Sequence, residues 1–299
     1  MTMTRTVATI LLLSGTAAYG SYWVSEFEGS AEQYKVVRDN ETISIAQLML
    51  LQSNDKIIID SPGGRLLVVD ERNQHHELTP ENTPFVVPES KAPPQLLINV
   101  RNWVASWWNT RGNQSTSTMA AVSKGGLDPE ILVATSGDNF LLSGIREIHI
   151  AWRGGIRPFD LSIVSESGKL LGRRTGLSSF AASLSDVALE DGQYNMKVAA
   201  GVAETNIAVT AVGREQLPDP AEAILSLDLP DEIRFGHLAL LLSAYSHWRF
   251  EALQLAHSYN LTQLELDLVS GNFPESDISE TTSMPGLPDA GRPTLPRDD

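Results

Sequence analysis

The sequence predicts a mainly β protein with added helix: an N-terminal transmembrane helix, two small antiparallel β domains, a C-terminal helical hairpin and a disordered tail. Three observations predict it. An apolar run opens the chain, short strand-like runs separated by turn residues fill its middle, and apolar stripes at helical spacing follow Asp219. The divisions are 1–30 for the anchor, 31–108 for the first β domain with a closing Trp-rich helix, and 109–126 for a linker. The second β domain takes 127–213, the helical hairpin 214–271 and the tail 272–299.

The anchor comes first. Arg5 and the α-amino group precede an apolar run over residues 6–24, and Glu26, Glu28 and Glu32 follow it. That length approaches the roughly 20 residues a helix needs to cross about 30 Å of hydrocarbon. Tyr22 and Trp23 sit where an interfacial aromatic belt would lie. A buried soluble helix is one alternative to an uncleaved anchor. Ala18-Tyr19-Gly20 also offers the small residues of a cleavage site ahead of Ser21, so a secretory signal is the other. With an anchor or a signal, Arg5 stays inside and the body is translocated. The expectation is a single-pass protein of the bacterial inner membrane, touching the bilayer through residues 6–24, with most of the chain in the periplasm.

Within 31–108, short runs at 34–37, 56–59, 65–69, 76–78 and 84–87, with Ile43 and Ile45, alternate with turns such as Ser61-Pro62-Gly63-Gly64. Their spacing of roughly 8–12 residues favours a small barrel or sandwich. Residues 40–49 add a short helix or a turn. In 95–108, Leu97, Val100, Val104 and Trp107 with Trp108 recur at helical spacing. The Ser-, Thr- and Gly-rich stretch 109–126 has no apolar period and reads as a flexible linker.

In 127–213 about seven short strands recur. Ile148, Ile150 and Trp152 alternate with His149, Ala151 and Arg153, the pattern of a half-buried strand. Seven strands around one tryptophan suggest a sandwich. Pro220 and Pro230-Asp231-Glu232 then start helices, with acids in the first turn of the second. Phe235, Leu238, Leu241, Leu242 and Tyr245 make one stripe, and Trp248, Ala252, Leu255, Ala256 and Tyr259 another after a break near Ser246-His247. Residues 262–269 form a third helix. Five prolines and scattered acids leave 272–299 without the means to build a core.

Three stretches resemble known modules. Residues 51–87, LQSNDKIIIDSPGGRLLVVDERNQHHELTPENTPFVV, resemble the periplasmic FecR-type β domain, with Asn54-Asp55 where that family has Gly-Asp. Residues 148–198 are similar to bacterial immunoglobulin-like or fibronectin-like sandwiches, Trp152 matching the core tryptophan and Leu189…Gly192-x-Tyr194 the late strand. Residues 237–257, HLALLLSAYSHWRFEALQLAH, resemble one tetratricopeptide-type hairpin, with Ala252 at the small packing position. Together the resemblances imply an envelope protein used for sensing or assembly. FecR regulators carry a cytoplasmic domain ahead of the anchor, whereas about five residues precede the run here, so control of a sigma factor by this chain alone is not expected.

Composition and motifs bound the chemistry. A net charge of −15 repels polyphosphate, so nucleic acid is not an expected partner. Cysteine is absent, which removes disulfides, thiolate catalysis and Cys-ligated metals and suits an oxidising compartment. His75-His76 point to opposite faces of a strand, and His237, His247 and His257 step around a helix by about 280° each. No HExxH, GxSxG, Walker or EF-hand pattern occurs. The expectations are therefore no enzyme, no cofactor and no metal. The candidate interaction residues are Trp103, Trp107, Trp108 and Trp248. Trp103 and Trp107 are i,i+4 neighbours, and a core seam competes with a partner groove or a membrane-surface contact as their role. The predicted function is a non-catalytic envelope scaffold, sensor or accessory subunit that contacts other envelope or membrane proteins; the alternative is a carbohydrate- or peptidoglycan-binding module.

Overall fold

The protein is described here from a computed structural model covering residues 22–70, 72–89, 94–100, 102, 128–134 and 137–271. The first β unit is a pair of four-stranded sheets. One orders β4 (Leu50–Leu51), β1 (Tyr22–Phe27), β6 (Leu66–Asp70) and β7 (His75–Leu78). The other orders β3 (Glu41–Ser44), β2 (Tyr34–Arg38), β5 (Lys56–Ile59) and β8 (Phe85–Val86). Val24, Val36, Leu51, Ile57, Leu66 and Val68 fill the space between them. Strand β3 occupies part of the stretch read as helix or turn. The β2–β3 turn is made by Asp39 and Asn40 at φ 51° and 67°, a conformation these two residues tolerate better than most.

The outer face of the first sheet is buried too. Trp23, Leu50 and Val69 point away from the sandwich into a second core that runs on through the helices. Successive strand residues face opposite ways, so Trp23/Val24, Leu50/Leu51 and Val69/Val68 each supply one side chain to each core. A strand covered on both faces reads as a continuous apolar run.

This corrects the transmembrane reading. Tyr22–Val24, the end of the expected span, open β1, a central strand paired with β4 on one side and β6 on the other. Trp23 and Val24 are fully buried in protein and not placed at a bilayer interface. The remaining residues of the expected span lie outside the described residues. Among the described residues no helix is long and apolar enough to cross a membrane. The N-terminal transmembrane helix, membrane contact through residues 6–24 and single-pass inner-membrane placement are therefore not supported. What stands is a mainly β protein with a few helices.

The second β unit has a five-stranded sheet ordered β12 (Leu170–Leu177), β11 (Phe159–Ser165), β14 (Gly192–Ala200), β15 (Ala203–Val212) and β9 (Phe140–Leu142). Facing it is the pair β10 (Gly144–Ala151) and β13 (Ala181–Leu189). Ile148, Ile150, Trp152, Phe159, Leu161 and Met196 lie in its core. Strand β9 runs parallel to β15, the others antiparallel to their neighbours.

Helix α1, the stretch at 95–100, adds Leu97 and Val100 to the core shared with Trp23. Then come α2 (Asp219–Leu225), α3 (Asp231–Ser243), α4 (Arg249–Ser258) and α5 (Thr262–Val269). A 3₁₀ turn, Ser246–Trp248, breaks the stripe between α3 and α4. The helices form the hub. On one side Gly236 of α3 receives Leu48, and Gln47 Nε2 donates to Ser25 O (2.8 Å) and Asn260 O (3.0 Å), tying the first β unit to the α4–α5 turn. On the other, α4 lies along β9 and β10.

Candidate functional site

Helix α4 is buried almost all round, yet it carries Glu251, Gln254 and His257 at spacing three, a polar ridge toward β10. Glu251 is fully buried. Its Oε1 and Oε2 accept from Arg146 Nη1 at 2.9 and 2.8 Å, and Oε2 also accepts from the Leu142 amide at 3.0 Å. Removal from water pushes the Glu251 carboxyl above the ordinary glutamate range, while the guanidinium and the amide oppose that push. Next along the helix, Gln254 Oε1 accepts from the His149 amide (2.7 Å) and its Nε2 donates to His149 O (2.9 Å). The side chain thus supplies the backbone bonds of a missing neighbour strand at the edge of β10.

The third position builds the cluster. His149 and His257 stack with ring centroids 3.7 Å apart and planes 10° from parallel. Both meet one carboxylate oxygen: Glu265 Oε1 lies 3.0 Å from His257 Nδ1 and 3.5 Å from His149 Nε2. The outward nitrogens have their own neighbours. His149 Nδ1 lies 3.2 Å from Ser183 Oγ, and His257 Nε2 lies 3.7 Å from Glu147 Oε1. Burial first, and the His257 ring second, hold the His149 imidazole below its ordinary range; Glu265 and Glu147 pull the other way. His149, His257 and Glu265 are the group of described residues whose ligand atoms come within 4.8 Å of one another. Ser183 stands directly across the ladder from His149, so their contact is a cross-strand polar pair.

A second feature lies at one pole of the same unit. The β10–β11, β12–β13 and β14–β15 connections all emerge at the same end, because these strands alternate in direction. They present Ile156 (65% exposed), Phe180 (40%) and a fully exposed Val202. The loops are braced. Gly155 has φ +76°, and a Cβ there would meet Phe159 Cε1 at 2.8 Å and Ala200 Cβ at 3.2 Å. The Trp152 amide donates to Phe180 O at 2.9 Å, and the Arg157 guanidinium sits 4.7 Å from the Phe180 ring centre.

No family model and no curated protein matches the chain. The FecR-type, immunoglobulin-like and tetratricopeptide resemblances are accordingly not confirmed. Among solved structures the chain is similar to a biofilm-associated protein, its BSP domain, at 12% identity and a TM-score of 0.24, over 67% of this chain and 26% of that one.

Of the four tryptophans singled out in the sequence, Trp103, Trp107 and Trp108 lie outside the described residues. Trp248 is 2% exposed and packs edge-on against Phe140, with ring centres 5.3 Å apart at 68°. The histidine cluster was not among the candidates. In the sequence His257 stands beside His237 and His247 at ten-residue spacing, while its partner His149 comes from a strand far away in sequence. The available signal was the ridge Glu251-x-x-Gln254-x-x-His257 on a helix whose other residues from Phe250 to Ala256 are apolar, matching Arg146-x-x-His149 on β10.

Proposed function

We propose that the chain is a non-catalytic binding module of the bacterial cell envelope, a scaffold that receives a protein partner on the loop pole of its second β unit. The observation that carries this is the trio Ile156, Phe180 and Val202 on braced loops, with Arg157 beside them. Exposed apolar side chains beside an aromatic ring and an arginine have the composition of a protein interface, and braced loops lose little entropy on binding. The cysteine-free composition suits an exported setting. The Ser183–His149 contact fits a cross-strand pair better than a nucleophile and base.

The test compares tagged wild type with the double variant Ile156→Glu/Val202→Glu in capture from the native host. A partner held in stoichiometric amount by wild type and lost by a double variant of equal thermal stability supports the scaffold. Retention of that partner by the double variant removes the pole from the account. Ester or peptide hydrolysis by the wild type that disappears in Ser183→Ala would overturn the non-catalytic reading.

A further inference from the structure

The geometry points to a divalent transition-metal site, of the zinc type, formed by His149 of β10, His257 of α4 and Glu265 of α5. Three features carry it. First, one nitrogen from each ring and one carboxylate oxygen converge, with His257 Nδ1 and His149 Nε2 lying 3.0 and 3.5 Å from Glu265 Oε1. Bonds of about 2.0–2.1 Å at tetrahedral angles put neighbouring ligand atoms about 3.3 Å apart, which matches this spacing.

Second, the His149 nitrogen turned away from that point, Nδ1, meets Ser183 Oγ at 3.2 Å, whereas Glu147 Oε1 stands 3.7 Å from His257 Nε2, outside hydrogen-bond reach. A hydrogen-bonded outer contact fixes the orientation and tautomer of a ligating imidazole, here that of His149. Third, two imidazoles and one carboxylate select zinc and its neighbours over magnesium or calcium, which prefer all-oxygen shells. The strongly acidic chain favours cation approach.

The stacked rings lie nearly parallel, so loading requires their planes to tilt open. His257, one-third exposed near the end of α4, is the side chain free to move. Three protein ligands leave a fourth position to solvent. The ion would bridge a β strand and two helices, and so lock the second β unit to the hub.

The experiment is zinc titration of the full chain by calorimetry, with Glu265→Gln and His257→Ala as site variants and His75→Ala, on the exposed β7 hairpin, as control. One equivalent is expected to bind wild type and the control alike. Each site variant should lose at least tenfold in affinity, and zinc should raise the unfolding temperature of wild type but not of Glu265→Gln. Equal affinity in wild type and Glu265→Gln, or an equal loss in His75→Ala, overturns the site. Should His257→Ala fail to fold, cobalt-loaded wild type decides. An intense visible band of tetrahedral coordination supports the site, and the weak spectrum of an octahedral aqua ion sinks it.

Discussion

His149 shows how burial sets the behaviour of a single residue. Unfolded, its imidazole takes up a proton near pH 6.5. Folded, burial beneath His257 holds the protonation lower, against the pull of Glu265 and Glu147. In the window below about pH 6.5 the unfolded chain therefore binds more protons, and stability falls as pH falls. Urea midpoints of metal-free protein at pH 7, 6 and 5 should drop, and should drop less in His149→Gln. The same slope in both proteins would remove His149 as the cause. The alternation that turns Ile148, Ile150 and Trp152 inward was legible in the sequence. That the opposite face, with His149, would also be covered was not, because its partners Gln254 and His257 lie about a hundred residues on and only the packed chain brings them there.

At the scale of elements, the apolar stripes of α3 and α4 and the break between them follow directly from helical spacing. Residues 56–59 and 262–269 are structured where the pattern placed them. Strand β1 misled for a physical reason. It gives Trp23 to one core and Val24 to another, so it lacks the alternation of a half-buried strand and joins the apolar run before it. The contact between the first β unit and α3 rests on a similar economy. Leu48 adopts a left-handed φ of 59°, and a Cβ on Gly236 would meet its Cδ2 at 2.8 Å. The tip of a flexible side chain can yield to one carbon, so Gly236→Ala should stay close to neutral, its helix propensity gain offsetting the contact. Gly236→Leu cannot be absorbed in this way and should cost about 1–3 kcal/mol, the range for overpacking, in denaturant unfolding. An undiminished midpoint in the leucine variant would show that α3 and the first β unit do not press together here.

For the whole molecule, one apolar core runs from Trp23 and Val69 through the helices into Ile148 and Phe159. Units that share a core should melt together. Unfolding followed by circular dichroism and by tryptophan fluorescence is expected to give one coincident transition. Glu251→Ala, which takes the buried partner from an Arg146 guanidinium that is itself one-fifth exposed, should shift both signals together by about 1–3 kcal/mol. Two separated transitions, or a shift confined to one signal, would mean that the β units hang on the hub independently. The central position of β1 has a practical consequence for anyone shortening this chain. A form beginning after Phe27 would part β4 from β6, leaving two raw sheet edges with unpaired amides and carbonyls beside apolar side chains. Such edges recruit strands from other copies, so truncation at the domain border suggested by the sequence should yield aggregate instead of a smaller soluble protein.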